Sequence, residues 1–230
     1  MGYHAYDPKI YQKKVERIDD PIFQNYQKEE IRYIRRNIEN PKQKTVIEIG
    51  AGYGRGVKRL ARIGKEVIGV ELGDRMYDAL KENVRNLNNV TVIHGDAAKL
   101  SSLVGNVESP AIVLLQNTVG IFGKDLNKIL LEMKKVAEEG RGEIIISAFN
   151  SCSLRAWGVP IIYKKAQDVV GENDPEKTDY ERGIFATKSG YVSKWWTPDE
   201  MRGMAELLGG KRRELCVNNY YQILHVSYSS

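Results

Sequence analysis

Cysteine and histidine are scarce, two and three in 230 residues. Cys152 and Cys216 lie far apart with no C-x-x-C spacing, which excludes a disulfide framework or a zinc site. Both are expected to be reduced thiols in or near the core, and no metal site is expected. Long apolar runs are missing as well. Nothing approaches the roughly 18 consecutive apolar residues of a membrane helix, and the opening MGYHAYDPKI contains no signal-peptide core. Gly2 could suggest myristoylation, but Tyr6 stands where that motif needs Ser or Thr. A cytoplasmic protein with no membrane partner is expected. A strong charge of one sign is also absent. The formal charge of +5 comes from scattered basic residues, with one small knot at Lys211, Arg212 and Arg213, and reads as a solvated surface.

What is present is 42% hydrophobic and 28% charged sequence, enough for one α/β core and too short for two. The chain is organised around residues 45–59, TVIEIGAGYGRGVKR. Val46, Ile47 and Ile49 suit a strand buried on both faces, Gly50, Gly52 and Gly54 suit a sharp loop, and a helix is expected from Arg55. Strand, glycine loop and helix in succession begin a nucleotide-type site. Arg55 stands where a dinucleotide fingerprint has its third glycine, and no G-K-[ST] closes the run as in a P-loop. Glu48, just before the loop, would repel phosphate and hold a cationic or amine-bearing ligand.

EIGAGYGR, residues 48–55, resembles the first motif of class I S-adenosylmethionine (SAM) dependent methyltransferases, an acidic residue followed by G-x-G-x-G. SAM carries a sulfonium, an ammonium and a carboxylate but no phosphate, which agrees with Glu48. The first cofactor-binding candidates are therefore Glu48, Gly50, Ala51, Gly52 and Gly54. EVIGVE, a second buried strand, ends in Glu71, 21 residues after Gly50. That is close to the ~20-residue spacing at which α/β nucleotide folds set an acid on the ribose hydroxyls. Asp74 is read as the cap of the helix that follows, over 75–86. Leu72 joins Glu71 in the cofactor set. A third strand runs out of VTVIHGDA, residues 90–97. The resemblance implies that Asp96 accepts from the adenine amino group while the Ala97 N–H meets the ring. His94 is read as structural.

The fourth strand ends in Gln116, Asn117 and Thr118, at the rim where parallel strands meet a ligand. Gln116 is assigned to the cofactor, and Asn117 and Thr118 to the acceptor. Related enzymes that methylate amino groups of DNA bases or protein glutamine commonly carry (N/D)-P-P-(Y/F) here. This chain has QNTVG. A helix over 125–139 and the strand GEIIISAFN follow.

Residues 151–196 form an insertion too long for a plain connector. It contains a polar loop over 171–183 and a hairpin turning near Ser189 and Gly190, and is read as a substrate lid. Trp157, Tyr163, Tyr191, Trp195 and Trp196 are its candidate wall residues. Thr197 and Glu200 form a capping box for a helix reaching Leu208, and two alternating strands joined at Asn218 and Asn219 close the chain.

Ahead of the glycine loop, Asp20 and Pro21 start a helix whose Ile31, Ile34 and Ile38 recur at helical spacing. With Tyr3, Tyr6 and Tyr11 before it, this segment, residues 1–41, is read as a flap over the ligand. The expected fold is α/β, a three-layer α/β/α sandwich. The resemblance gives it a seven-stranded mostly parallel sheet in the order 3-2-1-4-5-7-6 with strand 7 antiparallel. Residues 42–230 would be the SAM-binding domain, with the lid inserted before the last helix.

The expected function is in-line transfer of a methyl group from SAM to a nitrogen, or to an already ionised oxygen, of a small-molecule substrate. Asn117 and Tyr191 would orient the acceptor, with Thr118, Tyr163, Trp195 and Trp196 around it. The alternatives are a nucleic acid or protein acceptor, a non-catalytic SAM-binding regulator, and a dehydrogenase on a related fold.

Overall fold

A computed structural model describes residues 7–229. Tyr3 and Tyr6 fall outside the described residues. The strands are β1 (Thr45–Ile49), β2 (Glu66–Glu71), β3 (Val90–His94), β4 (Ala111–Leu114), β5 (Glu143–Phe149), β6 (Ile184–Ala186), β7 (Val192–Lys194), β8 (Arg212–Val217) and β9 (Tyr221–Ser227). Seven of them form one sheet in the order β3-β2-β1-β4-β5-β9-β8. The sheet is parallel through β5, and β9 runs antiparallel to both β5 and β8. With the hairpin strands β6 and β7 set apart, this is the order 3-2-1-4-5-7-6.

The helices are α1 (Pro8–Tyr11), α2 (Pro21–Asn37), α3 (Arg55–Leu60), α4 (Asp74–Val84), α5 (Leu100–Val104), α6 (Leu126–Glu139), α7 (Lys164–Val170) and α8 (Pro198–Leu208). Alternation along the central strands divides the core between two layers. Ile47, Ile49, Ile112, Leu114, Ile144 and Ile146 pack under α5, α6 and α8. Val46, Ala111, Val113 and Ile145 pack under α2, α3 and α4.

Helix α2 starts as its sequence requires, with the Asp20 carboxylate accepting from Phe23 N at 2.8 Å and Pro21 in the first turn. Its Ile34 joins the β1–β4 core, while Phe23 and Tyr26 join a third cluster with Phe149, Trp157, Tyr163 and Trp195. The N-terminal helix and the insertion therefore share a core over the carboxyl ends of the strands.

Several expectations need correcting. Helix α4 is capped by Gly73, with no side-chain cap; Asp74 is its first residue and faces His94 at 3.1 Å. Both cysteines are exposed. Cys216 lies on edge strand β8, and the Cys152 thiol donates to the Asn219 carbonyl at 3.1 Å. The insertion carries a wide-turn helix, Leu154–Tyr163, that continues into α7, although the residue pattern there has no helical signal. Among the described residues, no helix is long and apolar enough to cross a membrane.

Candidate functional site

Two chambers lie at the carboxyl ends of the strands, on either side of the glycine loop. Gly50, Thr118 and Ile121 line both. Gly50 has φ +66°, and a Cβ there would stand 2.6 Å from the Thr118 methyl, so the wall between the chambers closes only around glycine.

The outer chamber is lined by Glu71, Leu72, Asp96 and Ala97, with Phe122 and Ile129 behind them. Glu71 is 2% exposed and accepts from Gly52 N and from Gly73 N, each at 2.8 Å. These bonds fix the orientation of its carboxylate at the edge of the chamber. Asp96 accepts from Ala98 N at 2.8 Å and starts a short turn, while Leu72, 47% exposed, offers an apolar surface. The loop itself is no phosphate cradle. Gly50 N and Ala51 N both donate to the Val70 carbonyl, at 2.9 and 3.0 Å, and Gly52 N is engaged by Glu71. Gly54 lies outside both chambers and packs against Leu80 and Val84 of α4.

The inner chamber is lined by Glu48, Ala51, Gly52, Tyr53 and Arg55 from the loop side and by Leu115, Gln116, Asn117 and Thr118 from the end of β4. Tyr11, Val15 and Phe23 close it from the N-terminal segment, and Ile162, Tyr163, Val170, Tyr191 and Ser193 close it from the lid. Glu48 points into the α2–α3 layer, the side of the sheet to which Val46 belongs, so it does not share a chamber with Glu71 and Asp96. A Cβ on Gly56 would stand 2.5 Å from its carboxyl carbon, which is why the first turn of α3 carries glycine. Burial pushes the Glu48 carboxyl up to about 8 against the opposing pull of Arg55, with Glu30 and Glu71 adding to the rise. Glu48 therefore keeps its proton through much of the neutral range until a further cation joins Arg55 beside it.

The end of β4 is held in an uncommon backbone. Gln116 and Asn117 have φ of +51° and +58°, a left-handed pair in which Asn is tolerated and Gln is rare. Glu30, absent from the sequence-based candidates, secures it. This 2%-exposed carboxylate of α2 accepts from Gln116 N at 2.5 Å and from the Ser147 hydroxyl, and Arg55 lies 3.7 Å away. The available signal was its place in the buried stripe Tyr26, Glu30, Ile34. Asn117 has its side chain committed to the scaffold. Its amide donates to Lys194 O at 3.0 Å and Ser193 Oγ at 3.3 Å, and its oxygen accepts from Phe149 N at 3.1 Å, which ties the lid to the sheet.

Trp195 and Trp196 stand away from the chamber walls. Successive extended residues point to opposite sides. Trp195, fully buried, enters the lid cluster and donates to the Tyr163 hydroxyl at 2.6 Å, whereas Trp196 enters the core beneath α8. Tyr163 and Tyr191 do line the inner chamber.

Residues 46–140 match the methyltransferase domain family. A ribosomal RNA small subunit methyltransferase A of Clostridium botulinum (strain Langeland) is 42% identical over 77 residues, 33% of this chain and 28% of that protein. The chain thus spans under a third of the length of the curated relatives it matches. Among solved structures, the PH0226 protein of Pyrococcus horikoshii OT3 aligns with a TM-score of 0.64 at 18% identity, covering 95% of this chain and 96% of that one. Magnesium protoporphyrin IX methyltransferase of Synechocystis PCC 6803, solved with bound S-adenosylhomocysteine (SAH), aligns at 0.59 and 14% identity over 96% and 92%. Those structural likenesses carry the fold, and the family match carries the glycine-loop half. On both grounds residues 46–140 are similar to a methyltransferase domain and the chain has a Rossmann-like α/β fold.

Proposed function

We propose that the protein is an enzyme that moves a methyl group from SAM to a small molecule held in the inner chamber. The observation that supports this most is the make-up of the chamber's walls. The N-terminal segment and the lid both contribute walls to a chamber that abuts the glycine loop and is lined by aromatic and aliphatic side chains.

The residues fit the cofactor. Among the described residues, the buried Glu48 Oε2, Tyr53 hydroxyl and Arg55 Nη1 have no hydrogen-bond partner. One acceptor and two donors beside the loop match the ammonium and carboxylate of an amino acid. In the outer chamber Glu71 faces the place of the ribose hydroxyls, Asp96 and Ala97 N that of the adenine edge, and Leu72 that of its face. When bound, SAM supplies a methyl carbon already activated by a positive sulfur. The chain's part is alignment and exclusion of water, and ideal alignment alone can lower such a barrier by about 7–11 kcal/mol. Burial pushes the Tyr163 phenol well above its ordinary value, so it holds its proton at neutral pH and serves as wall and hydrogen-bond partner.

A second reading, transfer to RNA, is favoured by the local identity to ribosomal RNA methyltransferases. Incubation with methyl-tritiated SAM and a cell extract, split into low-mass and macromolecular fractions, separates the two. Label in the low-mass fraction is the expected result. Label confined to RNA and falling steeply with salt would replace the small-molecule reading.

A further inference from the structure

We propose that the acceptor atom is an oxyanion, a carboxylate or an ionised phenol, on an apolar body; this rests on the methyltransferase reading above. Unmatched hydrogen-bond groups in the chamber point to it. Glu48 Oε2, the Tyr53 hydroxyl, Arg55 Nη1 and Gln116 Nε2 are buried on chamber-lining residues, without a partner among the described residues. The first three lie on the glycine-loop side and match the amino-acid end of the cofactor. The fourth lies at the end of β4, facing the acceptor side, and is a donor.

A buried donor left unmet is costly, so a ligand that accepts from Gln116 has a definite advantage. The donor is also fixed in place. The Gln116 backbone is held at φ +51° by its bond to Glu30 at 2.5 Å, and the next residue is clamped to Phe149, Ser193 and Lys194. Gln116, placed with the cofactor residues on sequence grounds, is here assigned to the acceptor.

The chemistry then selects oxygen. A neutral amine has one lone pair, which must point at the methyl carbon, and an amide N–H donated to it would block attack. A carboxylate or phenolate oxygen keeps further lone pairs. One accepts from Gln116 while another forms the new O–C bond, the C–S electron pair stays on sulfur as a neutral thioether, and the product is a methyl ester or an aryl methyl ether. No proton changes hands, so no general base is needed. Phe23, Phe149, Ile162 and Val170 provide the apolar surround for the body of the molecule.

The test uses the protein loaded with SAH and three probes by calorimetry at neutral pH: 2-naphthoate, 4-nitrophenolate and 2-naphthylamine. At least one oxyanion is expected to bind tenfold or more tighter than the amine, and which one does so distinguishes carboxylate from phenol. Gln116→Leu should abolish that preference while the SAH Kd stays within twofold. Equal or tighter binding of the amine, binding of none of the probes, survival of the preference in Gln116→Leu, or a larger loss of SAH affinity overturns the proposal. Failure of the wild-type protein to bind SAH would instead overturn the methyltransferase reading.

Discussion

The two chambers on either side of Gly50 and Thr118 are built differently. The outer one is made by strand ends: Glu71 closes β2 and Asp96 follows β3, each oriented by backbone N–H groups a few residues away or across the loop. The inner one is made largely by added segments, with rings from the N-terminal helices and the lid meeting the end of β4. On the proposed reading, the difference separates recognition of the cofactor's ribose and adenine, which follows from topology, from recognition of the acceptor, which follows from what has been attached to that topology.

The largest effect should follow from cutting the link between lid and sheet. Asn117→Ala leaves the buried Phe149 N–H and two lid acceptors unmet, and should cost about 3 kcal/mol of unfolding free energy in urea. It should weaken acceptor binding while leaving SAM affinity close to wild type. Gly56→Ala is next. Its methyl would collide with the Glu48 carboxyl and should cost about 2 kcal/mol, part of which the Glu48→Ala/Gly56→Ala double variant recovers. In the outer chamber, Glu71→Ala should weaken SAM binding about tenfold by calorimetry, about 1.4 kcal/mol, without altering the acceptor KM.

Glu48 gives a pH signature. Its folded pKa of about 8 lies above the ordinary carboxylate range, so the native state holds the extra proton. That contribution to stability is complete below the unfolded value and is lost as pH rises through the folded one. Between pH 7 and 8 the loss should be about 1 kcal/mol, and Glu48→Gln should remove that slope in urea titrations. A bound ammonium favours the ionised form, so SAM affinity should rise with pH toward 8, with proton release visible as buffer-dependent binding heat. Smallest is Leu72→Ala, which should weaken SAM about twofold, roughly 0.5 kcal/mol, because its half-exposed side chain offers only part of its area to the ring.

The same contrast explains what could be read from the sequence. Strand ends, the glycine loop and the Thr197–Glu200 capping box were legible because burial on both faces, positive φ and unpaired helix N–H groups each restrict residue type locally. The lid helix was not, since Gly158 and Pro160 interrupt its pattern; Gly158 is explained by the Trp195 ring, 2.6 Å from a would-be Cβ. Glu30 sits among charged residues in KEEIR, and only its bonds from Gln116 N and the Ser147 hydroxyl set it apart from them. Trp195 and Trp196 attracted a shared role that adjacent extended residues cannot have.

The glycine loop, with Glu48 on one side and Glu71 and Asp96 on the other, is the proposed seat of SAM. Calorimetric titration of the wild-type protein with SAM and, separately, with NAD tests it most directly. Saturable one-site binding of SAM with no heat from NAD is the predicted result; binding of NAD without SAM would contradict the account.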